Sequence, residues 1–187
     1  FGAAVPRPRA ILAISAHWHV PRLAVTAMPR PRTIHDFHGF PPDLFAVRYP
    51  APGLPSLVEE VADAVHPDIV GADVDGWGID HGTWSVLVHM FPDADVPVVQ
   101  LSIDARRPPD WHLALGARLD VLRRSGVLVF GSGNAVHNLR AIDWQRPDGA
   151  FDWTRRMDDA VRDTMTHAPD RAAALMTHAD YAQAHPT

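Results

Sequence analysis

Histidine is the residue type in this sequence that is best suited to chemistry. The chain contains 12 histidines and no cysteine. A neutral imidazole is the commonest protein ligand for metal ions, and histidine titrates near neutral pH, which suits proton transfer. The lack of cysteine excludes disulfides, zinc–thiolate sites, iron–sulfur clusters and thiol nucleophiles. Any metal ion is therefore expected to be held by histidine, carboxylate or water.

Two histidine segments lie in the first quarter of the chain. Residues 10–15 form an apolar run that predicts a buried strand ending at Ala16-His17-Trp18, which places His17 at the C-terminal end of the strand. That position would present the imidazole to a cleft, although a structural histidine bonded to backbone would fit the same pattern. In residues 34–42, the two histidines His35 and His38 stand beside Asp36 in a predicted loop. The histidines could be metal ligands or substrate contacts, while turn formation explains the nearby glycine and prolines.

Two further segments combine a histidine with glycines. In residues 77–84 the pair Asp80-His81 lies between glycines and tryptophans. The carboxylate could orient the imidazole or cap a following helix. Residues 130–140 have neither the third glycine of a dinucleotide-binding loop nor the Lys-Ser/Thr ending of a P-loop. They predict instead a strand-to-helix turn with His137 one turn into the helix. The patterns alone leave a hydrolase, an oxygenase and a simple metal-binding protein open.

Composition sets the class of protein. The chain has 187 residues, of which 47% are hydrophobic and 21% charged, as in soluble globular proteins of one domain. The net charge of −5 and the lack of a basic block argue against nucleic acid as a partner. No apolar run approaches the ~20 residues that cross a bilayer, and no signal-peptide pattern opens the sequence. We therefore expect no membrane partner and a cytoplasmic location.

The order of apolar patterns predicts the fold class. Apolar or β-branched runs predict strands at residues 10–15, 96–103 and 127–130. Helical spacing of apolar residues predicts helices at residues 56–65, 111–124 and 152–166, and residues 83–90 fit either type. This alternation predicts a single α/β domain with a mainly parallel sheet covered by helices on both faces. Ligands of such sheets collect at the C-terminal ends of the strands, so His17 and His137 are expected to share a metal site there.

Several short sequence words, in fixed order, carry a family resemblance over nearly the whole chain. They are Ser15-Ala16-His17-Trp18, Thr33-Ile34-His35-Asp36-Phe37, Tyr49-Pro50-Ala51-Pro52-Gly53, Asp80-His81-Gly82, residues 92–104, and Gly131-Ser132-Gly133-Asn134 with His137-Asn138-Leu139. In these words the chain resembles the class III extradiol ring-cleavage dioxygenases. The resemblance is to the 4,5-DOPA extradiol dioxygenase-like branch, which is related to the catalytic subunit of protocatechuate 4,5-dioxygenase.

The resemblance implies a mononuclear metal centre, with Fe(II) for activity and often zinc in the purified protein. It implies that His17 is a metal ligand, that His137 is a ligand or the acid/base, and that His81 is a catalytic acid/base or substrate-binding residue. The substrate contacts that we expect are His35, Trp18 and Asn134. The implied reaction inserts O2 into a catechol-type, DOPA-like ring next to the hydroxyls and gives a ring-opened semialdehyde. The partners would be this small molecule and O2, and the oligomeric state is left open.

The sequence departs from the family pattern at its two ends. The family's first ligand lies in a Gly-His-Gly-Ser segment upstream of Phe1, and another follows a Pro-Thr-Pro-Glu-type segment that would begin at Pro186. We therefore expect residues 1–187 to be one catalytic domain that lacks its N-terminal and C-terminal segments. His17 and His137 alone do not complete a two-histidine, one-carboxylate centre, which predicts weak metal binding. The alternatives are a zinc-dependent hydrolase and a non-catalytic metal-binding remnant.

Overall fold

The computed structural model describes residues 5–146 and 148–186 of the chain. The chain divides into two compact units, of which the first extends to Gly133 and the second begins at Asn134. Among the described residues, no helix is both long enough and apolar enough to cross a membrane.

A five-stranded sheet forms the centre of the first unit. Its strands are β1 (Ala10–Val20), β2 (Ala24–Thr26), β3 (Gly71–Asp73), β4 (Val98–Asp104) and β5 (Val127–Ser132). They lie in the order β3-β2-β4-β1-β5. Strand β1 is parallel to both β4 and β5, and β2 is parallel to β3, whereas β2 meets β4 in antiparallel orientation. The predicted, mainly parallel sheet is therefore confirmed.

Helices of the first unit cover both faces of this sheet. They are α1 (Pro42–Ala46), α2 (Leu57–Val65), α3 (His81–Met90), α4 (Pro109–Arg118) and α5 (Asp120–Arg124). Successive side chains of a strand point to opposite faces. Accordingly, Leu12 packs in an apolar cluster with residues of α2, α4 and α5, whereas Ile11 packs with Trp84 and Leu87 of α3. The predicted α/β class with two covered faces is confirmed.

The interior strand β1 shows why an apolar run without alternating polar residues predicted a strand correctly. Residues Ala10, Ile11, Leu12 and Ala13 have no exposed surface, because both of their faces are covered. Burial of a Leu or Ile side chain contributes roughly 1.5–3 kcal/mol of stability. The side chains of this apolar run therefore pack against the helices on both faces of the sheet and stabilise both layers.

Two element boundaries differ from the sequence-based prediction. Strand β1 does not end at Ala16-His17-Trp18, as predicted, but continues to Val20, with an irregularity between Ile14 and His19. The predicted helix at residues 111–124 is two helices, α4 and α5, with Leu119 between them. Leu119 is itself buried and continues the apolar spacing, so the pattern does not reveal the break.

The second unit is helical. It contains a 3₁₀ turn at Leu139–Ala141, helix α6 (Asp152–His167), a 3₁₀ helix at Pro169–Thr177 and helix α7 (Tyr181–Ala184). The predicted helix at 152–166 is thus confirmed to within one residue. Two hydrogen bonds of 2.9 and 2.8 Å from the Arg156 guanidinium hold the Asp180 carboxylate, which precedes α7. This bidentate pair ties α6 to the end of the unit.

The prediction that His137 lies one turn into a helix is wrong. His137 lies in an irregular segment that precedes the 3₁₀ turn. Its backbone N–H donates to the carbonyl of Ala184 at 2.9 Å, and the side-chain amide of Asn138 donates to the carbonyl of Gln183 at 2.8 Å. These two hydrogen bonds tie the segment to the α7 region in place of the hydrogen bonds of a helix.

Candidate metal centre

Three side chains of the first unit meet at one point, namely His17, Asp36 and His81. The Nδ1 atom of His17 lies 3.1 Å from Oδ2 of Asp36, and the Nδ1 atom of His81 lies 2.7 Å from Oδ1. The two imidazole rings are tilted against each other, with centroids 4.0 Å apart. Each residue can offer one ligand atom so that all three atoms lie within 4.8 Å of one another. We call these three residues the His-Asp-His cluster.

An irregularity in strand β1 presents His17 to this cluster. Between Ile14 and His19 the strand advances five residues while its partner β4 advances two, from Leu101 to Ile103. Extra residues of this kind form a bulge, which bends the strand and re-aims a side chain. The backbone N–H of His17 donates to Oγ of the buried Ser15 at 3.2 Å, which fixes the bulged segment.

Asp36 reaches the cluster from a loop that is tied to the chain just before α3. The backbone N–H of Ile34 donates to the carbonyl of Ile79, and the N–H of Ile79 donates to the carbonyl of Arg32, both at 2.8 Å. The indole Nε1 of Trp84 donates to the carbonyl of Ile34 at 2.7 Å. These bonds place the loop beside the first turn of α3, so Asp36 and His81 become neighbours.

His81 is the first residue of α3, and Asp80 is the N-cap. One carboxylate oxygen of Asp80 accepts the backbone N–H of Thr83 at 3.1 Å, as expected for an N-cap aspartate. Gly82 follows His81 and lies close to β1. A Cβ at position 82 would lie 2.6 Å from Oγ of Ser15 and 2.8 Å from Cδ2 of His17. The close approach of α3 to β1 at the cluster therefore requires glycine.

The charge of the cluster comes from Asp36. Partial burial works to raise the pKa of its carboxyl, but hydrogen bonds from the side chain and the backbone N–H of His81 outweigh that effect, so the pKa lies below its usual 3.8. The group is therefore an anion at neutral pH. About a quarter of each side chain remains exposed, with values of 31% for His17, 22% for Asp36 and 27% for His81. Solvent molecules and small ligands can thus reach the cluster.

The donor set fits a divalent transition-metal ion by the chemistry of its atoms. Each histidine Nδ1 atom lies beside a different oxygen of Asp36, at 3.1 Å for His17 and 2.7 Å for His81. One ligand atom from each of the three residues can be chosen so that all three lie within 4.8 Å of one another. Two histidines and one carboxylate form the ligand set of many non-haem iron oxygenases, in which the remaining coordination positions stay open.

Aromatic side chains form one wall beside the cluster. The ring of Phe37 meets His81 edge-on at 5.2 Å between centroids, and it also contacts Phe40 at 5.4 Å and Phe45 at 4.8 Å. Phe40 and Phe45 keep 51% and 38% of their surface exposed. His35 packs among these rings, with its Nε2 atom 2.9 Å from the carbonyl of Val47. The exposed edges could therefore accept a flat apolar ligand.

The structure brings together two of the histidines that the sequence singled out, His17 and His81. Trp18, a predicted substrate contact, is buried and stacks on Trp77 with parallel rings 5.7 Å apart. Asp36 was part of a histidine-containing segment, but sequence reasoning did not select it as a ligand. Asp36 lies between His35 and His38 in the sequence, but this signal points to the cluster only once the loop is placed beside α3.

The remaining predicted site residues, Asn134 and His137, belong to the second unit. Both line a cleft of about 460 Å³ whose walls include Trp144, Phe151 and Trp153. His137 is exposed, so a ligand can reach it. Because His17 lies in the first unit, the shared site of His17 and His137 stays a prediction.

Comparisons with known proteins show the family of this chain. Residues 2–187 match the family model of the catalytic LigB subunit of aromatic ring-opening dioxygenase. The chain is 42% identical to a 4,5-DOPA dioxygenase extradiol of Escherichia coli over 96% of its own length and 67% of the relative's length. It is 37% identical to a 4,5-DOPA dioxygenase extradiol of Beta vulgaris over 86% of its own length, but this match spans 60% of that relative. The match to dioxygenase tasH of Hapsidospora irregularis has 36% identity and spans 83% of the chain and 53% of that protein.

A solved structure supports the same relationship. The fold superimposes on the crystal structure of an uncharacterized protein from Escherichia coli with a TM-score of 0.81 and 37% sequence identity. That likeness covers 100% of this chain and 72% of the other one. The chain thus spans between about half and three quarters of the proteins it matches. The chain belongs to the LigB family of aromatic ring-opening dioxygenases, in the branch of the extradiol dioxygenases.

Proposed function

We propose that this chain provides the metal centre of an extradiol dioxygenase that opens catechol-type, DOPA-like rings next to their hydroxyls and gives a ring-opened semialdehyde. The observation that carries the proposal is the His-Asp-His cluster, which offers two imidazoles and a carboxylate within 4.8 Å of one another in a protein of this family. Fe(II) is the proposed metal for turnover, and zinc is the ion that we expect to occupy the same ligands in purified protein.

In this proposal His17, Asp36 and His81 hold the metal ion. A bound ion would act as a Lewis acid that makes the catechol hydroxyls more acidic. The carboxylate of Asp36 fixes the orientation of both imidazoles, because it lies 3.1 Å from one ring nitrogen and 2.7 Å from the other. The site is therefore preorganised before ligands arrive.

The proposed reaction also needs a residue that takes up and returns the proton of the substrate. We propose His137 as the acid/base that takes a proton from a catechol hydroxyl and later returns it to oxygen. His81 is the alternative for this role, since its Nδ1 atom lies 2.7 Å from the anionic Asp36, which can hold the ring in one tautomer. The metal content of a His81 variant distinguishes the two roles. Loss of metal would identify His81 as a ligand, whereas retained metal with lost turnover would identify it as the acid/base.

The aromatic wall suggests how a catechol ring would be held. Phe40 and Phe45 are partly exposed, and both contact Phe37, which in turn contacts His81. A flat ring could pack against these side chains while its hydroxyls face the cluster. His35 lies among the same rings and is our candidate for a hydrogen bond to substrate. Trp18 and Asn134 stay predicted contacts.

The donor set alone would also suit a zinc hydrolase, because two histidines and a carboxylate hold catalytic zinc in several hydrolases. The proposed experiment therefore loads the chain anaerobically with Fe(II), adds a catechol such as DOPA, and measures O2 uptake with an oxygen electrode. We expect one O2 consumed per ring opened, with both atoms of isotopically labelled O2 in the product. Parallel assays follow acid release from an aryl ester by the zinc-loaded chain.

The matched control is His17→Ala, which removes one ligand and should abolish both metal uptake and O2 consumption. Ester hydrolysis by the zinc-loaded chain without O2 uptake by the iron-loaded chain would support the hydrolase instead. A chain that binds Fe(II) and consumes no O2 with any catechol would contradict the proposed function.

A further inference from the structure

We propose that Gln100, a buried residue of β4, is a positioning residue for the metal centre. Its side-chain amide clamps Asp80, and this clamp fixes where α3 begins and where His81 enters the His-Asp-His cluster. The inference rests on the proposed function, because it concerns the accuracy with which His81 meets a metal ion.

The clamp consists of two reciprocal hydrogen bonds. The backbone N–H of Asp80 donates to Oε1 of Gln100 at 2.9 Å, and Nε2 of Gln100 donates to Oδ2 of Asp80 at 2.8 Å. Both residues have no exposed surface. The orientation of the amide is determined by its partners, since a flipped amide would bring its NH2 group against the backbone N–H of Asp80.

The full burial of the Gln100 amide at this position needs an explanation. Its neighbours on β4, Val99 and Leu101, are apolar core residues. Burial of an amide among such residues costs stability unless every polar group finds a partner. The backbone N–H of Gln100 donates to Oγ1 of Thr26 at 2.8 Å, which anchors the residue to β2. Gln100 therefore links the interior of the sheet rigidly to Asp80.

Because the clamp fixes Asp80, it also restricts the position of His81. Besides the bond from Gln100, Oδ2 of Asp80 accepts the indole N–H of Trp77 at 3.2 Å, and Oδ1 accepts the N–H of Thr83. The carboxylate is thus held from three directions. His81 is the next residue, and both its backbone N–H, at 3.3 Å, and its ring Nδ1, at 2.7 Å, face Oδ1 of Asp36. A shift of Asp80 would move both of these contacts together.

The test uses Gln100→Glu, which keeps the size of the side chain but places a carboxylate against Asp80. We expect the affinity for Zn²⁺, measured by competition with a chelator, to fall about tenfold, the lower end of the effect of outer-shell partners. Gln100→Met is the second variant, because it removes both bonds without adding a charge. A second measurement uses the metal-free chain, in which the ring-nitrogen NMR signals of His81 should shift.

Ser102→Ala is the matched control. Ser102 lies two residues further along β4, is equally buried, and uses its Oγ to accept the N–H of Ala24 and to donate to the carbonyl of Arg22. Its loss should lower stability without changing the Zn²⁺ affinity or the His81 signals. In the double variant Asp80→Asn with Gln100→Glu, the new amide can donate to the new carboxylate. We expect this pair to recover part of the lost Zn²⁺ affinity, although the Trp77 bond is not restored.

Two results would overturn the inference. One is a folded Gln100 variant with unchanged Zn²⁺ affinity and unchanged His81 signals, and the other is an equal loss of affinity in Ser102→Ala. Failure of the proposed function looks different. If the wild-type chain binds no metal, but the His81 signals shift in Gln100→Glu and not in Ser102→Ala, the positioning role holds and the metal centre is wrong.

Discussion

Replacement of Gly82 by alanine should damage the cluster through a collision that the structure locates. The new Cβ would lie 2.6 Å from Oγ of Ser15 and 2.8 Å from Cδ2 of His17. Non-bonded atoms do not approach this closely, so one side must move. Ser15 is fully buried, whereas His17 keeps 31% of its side chain exposed. We expect the His17 ring to yield and to leave its place beside Asp36.

Two opposing effects determine the stability of Gly82→Ala. Alanine favours a helix over glycine by up to about 1 kcal/mol. Overpacking at a tight contact costs roughly 1–3 kcal/mol. The net change should therefore lie between about 0 and 2 kcal/mol of destabilisation, with metal affinity lowered about 10- to 100-fold as His17 moves. Gly116→Ala in α4 is the matched control, because nothing lies within 4 Å of its new Cβ.

The assay combines thermal unfolding with a Zn²⁺ titration of the three proteins. For a chain of this size, about 1 kcal/mol corresponds to roughly 2–4 °C in Tm. Gly116→Ala should gain up to that amount and bind Zn²⁺ like the wild type, whereas Gly82→Ala should unfold at a lower temperature and bind weakly. The reasoning is refuted if Gly82→Ala is as stable as Gly116→Ala and keeps the wild-type affinity.

Four further outcomes are expected. Asp36→Asn should lower Zn²⁺ affinity at least about tenfold in a chelator competition, and an unchanged affinity would remove Asp36 from the site. His81→Gln should lose metal, whereas loss of turnover with metal retained would make His81 the acid/base. His137→Gln should lower O2-dependent turnover roughly 10²–10⁴-fold with metal retained, and unchanged turnover with unchanged metal content would exclude it from the chemistry. Asp104 has its pKa lowered to about 2 chiefly by its hydrogen bond with Arg106. Because that pKa lies below the usual 3.8, the stabilisation is complete above about pH 4 and is lost as the pH falls toward 2. Arg106→Ala should therefore lose less stability than the wild type over that range in urea unfolding, and parallel curves would refute the assignment.

The sequence predicted the longer elements of the fold best. Strands β1 and β4 have apolar runs because both of their faces are covered. Strand β5 also begins with an apolar run but is only partly buried, and α2 and α6 show helical spacing against one buried side. Strands β2 and β3 have three residues each, which is too short for a periodic pattern. The bulge after Ile14 was also hidden, because the extra residues keep a strand-like composition.

The site was predictable only in part, since the sequence identifies residue types but not their partners. His17 and His81 drew attention through their neighbours along the chain. The contact of Asp36 with His81 joins residues 45 positions apart, and it depends on the bonds that tie the loop of Ile34 to Ile79. Gln100 lies within an apolar strand, where nothing in the sequence shows that its amide faces Asp80.

The central claim is that one metal ion is held by His17, Asp36 and His81. The most direct test is an anomalous difference map from crystals of the zinc-loaded or iron-loaded protein, collected at the absorption edge of the metal. If one ion is bound by all three residues, we expect one peak within about 2.2 Å of a ring nitrogen of His17, a ring nitrogen of His81 and a carboxylate oxygen of Asp36. A peak bound elsewhere, or bound to His17 while Asp36 and His81 stay bonded only to each other, would contradict it.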